Sequence, residues 1–157
     1  MDNITGLKVA ILITDGFELV EMMKPRQALD QAGARTSIVS PKHQRVRSWN
    51  FVEWGQEFPV DIPLDGANPG DFDALSLPGG VMNPDKLRMD PKAVKFAKAF
   101  FDADKPVAVI CHGPWTVIAT GYAKGKKIAS RPFLKTDLQN AGTQWMDQEV
   151  VVDGKLV

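Results

Sequence analysis

The order of elements in this chain predicts an α/β fold, a mostly parallel sheet covered by helices on both faces. Three observations carry that expectation. Short apolar, β-branched runs such as Lys8 to Thr14 (KVAILIT) have the composition of strands buried on both faces. These runs alternate with stretches of helical periodicity, the pattern of units in which a helix joins two parallel strands. The breaks also recur where such sheets bind ligands, at the carboxyl ends of strands: Asp15-Gly16, Pro78-Gly79-Gly80 and Cys111-His112-Gly113 each follow a strand-like run.

Taken in order, KVAILIT is the first strand. From Glu18 to Ala32 the apolar positions Leu19, Met22, Met23 and Leu29 recur at helical spacing, with Pro25 expected to kink or interrupt the helix and Gly33 to stop it. Thr36 to Ser40 is the next strand. Arg45 to Val60, carrying Trp49, Phe51, Trp54 and Phe58, reads as a β excursion or hairpin. Phe72 to Leu77 (FDALSL) is a core strand. Pro91 to Phe101 is a helix with proline in its first turn and an apolar stripe through Val94, Ala97 and Phe101. Val107 to Ile110 is the following strand, and Pro114 to Thr120 resumes as helix, ending at Gly121. Gln144 to Val152 reads as strand, with a hairpin-type turn at Asp153-Gly154.

At 157 residues the chain suits one domain that buries roughly 70 % of its unfolded surface. Nineteen basic residues balance nineteen acidic ones, so no overall field favours nucleic acid or an anionic membrane. No apolar run reaches the ~20 residues a bilayer span needs, and MDNITGLK is no secretion signal. A single cysteine rules out an internal disulfide and fits a reducing compartment, so the cytoplasm is expected. With one cysteine and two histidines, no metal site and no cofactor are expected.

Cys111 has two readings. Free cysteine finishes buried strands well. The alternative is a nucleophile, because Gly113 leaves room for a sharp strand-to-helix elbow and the next helix start would lower the thiol's pKa. His112 is then a general base or simply part of the turn. Pro78-Gly79-Gly80 is a tight turn, or a loop whose N–H groups bind an oxyanion with the N–H of His112 as second donor. Glu18 and Glu21 lie three apart on one helix face, where the dipole favours them anyway. A protonated carboxyl there could instead hydrogen-bond a thiolate. Asp85 is a surface charge or a site acid, and Trp115, just past the elbow, is placed to wall a pocket.

The segments DGFExxE, PRxALxxAGA, FDALxLPGG, NPDKLR and AVICHGPW, in this order, resemble the PfpI intracellular-protease family. That family lies in the class I glutamine-amidotransferase-like superfamily and includes enzymes described as glyoxalase III and protein deglycases. The resemblance runs from about Lys8 to the end of the chain. It implies a flavodoxin-like three-layer sandwich with a nucleophile elbow. It puts the nucleophile on Cys111, its neighbouring histidine on His112, and the thiol-contacting glutamate on Glu21. Glu18 matches a second active-site carboxylate, and the backbone N–H groups of Gly80 and His112 match the oxyanion donors. Asp85 matches an acid that completes a Cys-His-acid triad in a neighbouring subunit, which implies a homodimer or homohexamer. Arg131 stands where some members carry a tyrosine or tryptophan over the pocket. An arginine there would favour an anionic or polar substrate, or point to solvent. The family usually continues with another helix beyond the position of Val157.

The expected function is a cysteine-dependent hydrolase or lyase acting on peptide or 2-oxoaldehyde carbonyls. Amidotransfer is not expected, since no histidine follows His112. The rival from another class is a stress-response protein whose cysteine is oxidised to sulfinic acid without turnover.

Overall fold

The computed structural model describes residues 4–157. Strands β1 (Lys8–Leu12), β3 (Arg35–Ser40), β6 (Ile62–Pro63), β7 (Ala74–Leu77) and β8 (Val107–Val109) form a sheet of order β6-β3-β1-β7-β8, and every pairing is parallel. Alternate side chains of a strand face opposite ways. Ala10 and Leu12 enter the larger core, with residues of α2 (Met82–Met89), α3 (Pro91–Asp102) and α4 (Pro114–Thr120). Ile11 and Ile13 enter a smaller one with Met22 of α1 (Leu19–Gln31) and Val46. This two-sided burial is why Val9 to Ile13 is apolar throughout. The expected flavodoxin-like sandwich is the architecture found.

Helix α1 runs through Pro25 without interruption. The proline occupies an exposed position, where its ring meets solvent rather than the core. The helix closes as expected, with Gly33 at φ 90° and its N–H donating to the Asp30 carbonyl. Its apolar stripe is thinner than its spacing implies, because only Met22 is fully buried.

Arg45 to Val60 is the hairpin expected: β4 (Arg45–Asn50) pairs antiparallel with β5 (Glu53–Pro59), and Trp49 faces Trp54 edge-to-face. The two-residue strand β2 (Phe17–Glu18) adds in parallel to β4. Glu18 therefore caps α1 from a strand and does not share a helix face with Glu21.

The expected strand from Gln144 to Val152 is only β10 (Gln144–Met146), paired in parallel with β9 (Lys127–Ala129). Beyond it the polar run Asp147, Gln148 and Glu149 lies in a loop, and the chain turns at Gly154 to set Leu156 beside Val107. Helices α2 and α5 (Lys135–Asn140) lack clear sequence signals. In α2, Pro84 sits in the first turn, where its missing N–H would have had no partner. Among the described residues no helix is long and apolar enough to cross a membrane.

Candidate active site

The turn after β8 carries the chain's only cysteine. Cys111 sits at φ 61°, a conformation a side chain adopts at a cost of about 1–2 kcal/mol. Gly113 contributes differently from a flexible hinge. Its own φ is −51°, but a Cβ there would lie 2.5 Å from the Leu77 carbonyl oxygen and 2.9 Å from that of Ile110. Glycine is thus needed for close approach, while the strained backbone is that of the cysteine itself.

Around the sulfur the sheet ends converge. The backbone N–H groups of Gly80 and His112 donate to it, and the Glu21 carboxyl is hydrogen-bonded to it. The His112 ring turns back so that Nδ1 lies 3.1 Å from Sγ. Glu21 also accepts from the Gly79 N–H through Oε2 at 2.8 Å. A Cβ on Gly79 would fall 2.6 Å from that oxygen and 2.7 Å from the Cys111 Cβ, so the loop can pass the elbow only as glycine. Glu18 lines the cavity at Cys111 without bonding the sulfur: its Oε1 accepts from the Phe51 N–H at 3.2 Å, while its charge opposes ionisation of Glu21.

The electrostatics reverse one expectation. Instead of being lowered by the helix start, the Cys111 thiol is pushed up to about 12, by burial first and then by the charge and hydrogen bond of Glu21. The N–H groups of Gly80 and His112 pull the other way. The Glu21 carboxyl is also pushed up, again by burial first. The two groups therefore titrate as a coupled pair, each making the other's ionisation harder. The His112 imidazole is pushed down by burial and by the charge of Arg131, which keeps the ring neutral and able to accept a proton.

The model of the DJ-1/PfpI family matches residues 7–157. The chain belongs to the DJ-1/PfpI family. It is 41% identical over 151 residues to Deglycase PH1704 of Pyrococcus horikoshii, a match covering 96% of this chain and 88% of that one. It is 40% identical to Deglycase PfpI of Pyrococcus furiosus, with the same coverage. Among solved structures, an Anabaena variabilis protein with DJ-1/ThiJ/PfpI-like and ferritin-like domains superposes with a TM-score of 0.88 at 33% identity, over 96% of this chain and 42% of that two-domain chain.

Not every residue singled out for a DJ-1/PfpI site is gathered at the sulfur. Asp85 lies exposed on α2, its carboxylate held by Arg88 at 2.6 and 2.9 Å. Among the described residues, no carboxylate of the same chain is bonded to the His112 ring. Trp115 walls neither of the cavities that open at Cys111; it packs edge-on to His112 with ring centroids 5.2 Å apart, and its Nε1 donates to Asp137. The guanidinium of Arg88 covers its other side at 4.5 Å. Arg131 does line both cavities. Among the described residues, no group of three or more metal-ligating side chains is assembled.

One residue escaped sequence reasoning. Asn83 is fully buried, accepts from the Thr14 N–H at 2.8 Å, and donates to the carbonyls of Pro78 and Gly79 at 2.9 and 3.1 Å. It ties the end of β1 to the glycine loop that faces the elbow. Its only sequence signal was position, shortly after the PGG break. Asn83→Leu leaves these buried backbone groups short of partners, so thermal or urea unfolding should show a loss of about 3 kcal/mol or more. A loss under about 1 kcal/mol would mean that water or a shifted backbone replaces the bonds.

Proposed function

We propose that the protein is a cysteine-dependent enzyme that adds its thiolate to small carbonyl compounds, namely 2-oxoaldehydes such as methylglyoxal and their adducts on proteins. One observation supports this above the others. A sulfur on a strained elbow is hydrogen-bonded to a carboxyl, beside backbone N–H donors placed for negative charge. Moving that proton to Glu21 makes the nucleophile without an outside base. The sulfur then bonds to the aldehyde carbon, and the oxyanion settles against the Gly80 and His112 N–H groups. Glu21 returns the thiol proton to that oxyanion, and the freed Glu21 carboxylate, or Glu18, carries the proton from the carbon to its neighbour, producing a thioester of a 2-hydroxy acid. Neutral His112 takes a proton from the water that cleaves it. Methylglyoxal plus water becomes lactate, an internal redox exchange that calls for no cofactor. The cytoplasm, where thiols stay reduced, suits this chemistry.

Lactate formation from methylglyoxal by the wild type and by Cys111→Ala tests the reading. Equal rates, or none from either protein, would sink it and leave oxidation of Cys111 to a sulfinic acid as the alternative. Peptide hydrolysis is a second use of the same thiolate. Casein cleavage that survives Cys111→Ala belongs to a contaminant.

The carboxylate missing beside His112 is proposed to be Asp85 of another copy, in a homodimer or homohexamer. Cys111→Ala and Asp85→Ala should each be inactive alone. Coexpressed, they should regain roughly a quarter of wild-type turnover, because half of randomly mixed pairs hold one intact site. No recovery would mean that each chain works with its own groups only.

A further inference from the structure

We infer that Arg131 forms an anion subsite beside Cys111, and that the preferred substrates are 2-oxoaldehydes carrying a carboxylate. This rests on the 2-oxoaldehyde reading above and narrows its substrate class.

The cavity on the outer side of the elbow has a volume of about 440 Å³ and is lined by Glu21, Gly80, Cys111, His112 and Arg131, with Phe133 among its apolar walls. That is the size of a site for a ligand much larger than a three-carbon oxoaldehyde. The carboxylates lining it already have backbone partners, Glu18 the Phe51 N–H and Glu21 the Gly79 N–H. The cation is different. Among the described residues the Arg131 guanidinium makes no ion pair or hydrogen bond, although its charge reaches both Glu21 and His112.

Its backbone is held firmly. The following Pro132 restricts Arg131 to extended dihedrals, observed at φ −55° and ψ 139°. The Arg131 N–H donates to the Cys111 carbonyl at 3.4 Å. Its own carbonyl accepts from Leu134 N–H at 3.0 Å and from the Ser130 hydroxyl at 2.9 Å. The Ser130 oxygen is fixed in turn by Trp145 Nε1 at 3.1 Å, and Leu134 is anchored in the core. A guanidinium fork on a pinned backbone at the mouth of a reacting site suits bidentate capture of a carboxylate. The reaction keeps its balance: the sulfur bonds to the aldehyde carbon, the proton shifts to the adjacent carbon, water releases the 2-hydroxy acid, and the distal carboxylate is unchanged.

The test compares 4,5-dioxopentanoate with its neutral five-carbon counterpart 2-oxopentanal. The wild type should favour the anionic compound in kcat/KM, and Arg131→Gln should lower that preference roughly tenfold. Added salt should erode the preference as well. A wild type without preference, or one whose preference survives Arg131→Gln, overturns the subsite. A second arm is independent of turnover. Cys111 is alkylated by iodoacetate, an anion, and by iodoacetamide, which is neutral, and the ratio of the rates is taken. Arg131→Gln should lower that ratio at least fivefold, and Arg131→Lys, keeping the charge, should lower it less. If no oxoaldehyde is turned over but the ratio falls, the function reading fails and the subsite stands. An unchanged ratio overturns the subsite whatever the kinetics show.

Discussion

Cys111→Ala is expected to reduce lactate formation from methylglyoxal by on the order of 10³-fold or more, because the residual groups cannot form the covalent adduct. The fold should hardly register the change. The sulfur is half-buried, alanine occupies less space than cysteine, and the positive φ is inherited by the variant. Unfolding free energy should therefore move by about 1 kcal/mol or less. The two measurements belong together, since a collapse in both rate and stability would show only that the elbow needs a thiol to form. Intact protein that still forms lactate at the wild-type rate would remove Cys111 from the chemistry.

The second large effect concerns pH. Alkylation of wild-type Cys111 by iodoacetamide should hold a plateau between the two titration steps of the pair, and Glu21→Ala should abolish it. Burial raises both groups first, and each then makes the other's ionisation harder. Their protons leave in separated steps. Below the first step both groups are protonated and the sulfur is inert. Between the steps one shared proton leaves a constant thiolate fraction, stabilised by the Gly80 and His112 N–H groups. Near about 12 the last proton goes and the rate climbs again. Without Glu21 the sulfur titrates alone, relieved of the neighbouring negative charge, and its rate follows a single step. Turnover in Glu21→Ala should nevertheless fall by roughly 10²–10⁴-fold, since the proton carrier is lost. Superimposable alkylation profiles for the two proteins would show that the carboxyl does not govern the thiol.

The strand-to-helix order was legible because burial on both faces forces an unbroken apolar run, as in KVAILIT, and because Gly33 and Gly121 mark helix ends. Pro25 misled, since α1 runs through it. A proline removes a helix donor and crowds the carbonyl four residues back, and the packing of the surrounding fold, which the local sequence does not state, decides whether the helix bears that cost. Glu18 and Glu21 show the other limit. Their spacing suits a helix face, yet pairing with the β4 strand draws Glu18 out of α1 and turns its carboxylate to Phe51.

The sequence by itself determined the layered α/β architecture, the elbow at VAVICHGPW, and the family, since each rests on local order or on a long ordered set of motifs. Only the tertiary structure decided the state of the thiol. A helix start next in sequence argues for a low pKa. Burial beside Glu21, ninety positions away along the chain, argues for a raised one, and in a poorly solvated pocket the near carboxyl outweighs the end of a short helix. The tertiary structure also decided that Asn83 braces the glycine loop, that Trp115 backs His112, and that Arg131 faces the cavity. Each depends on segments that meet only after the sheet has formed.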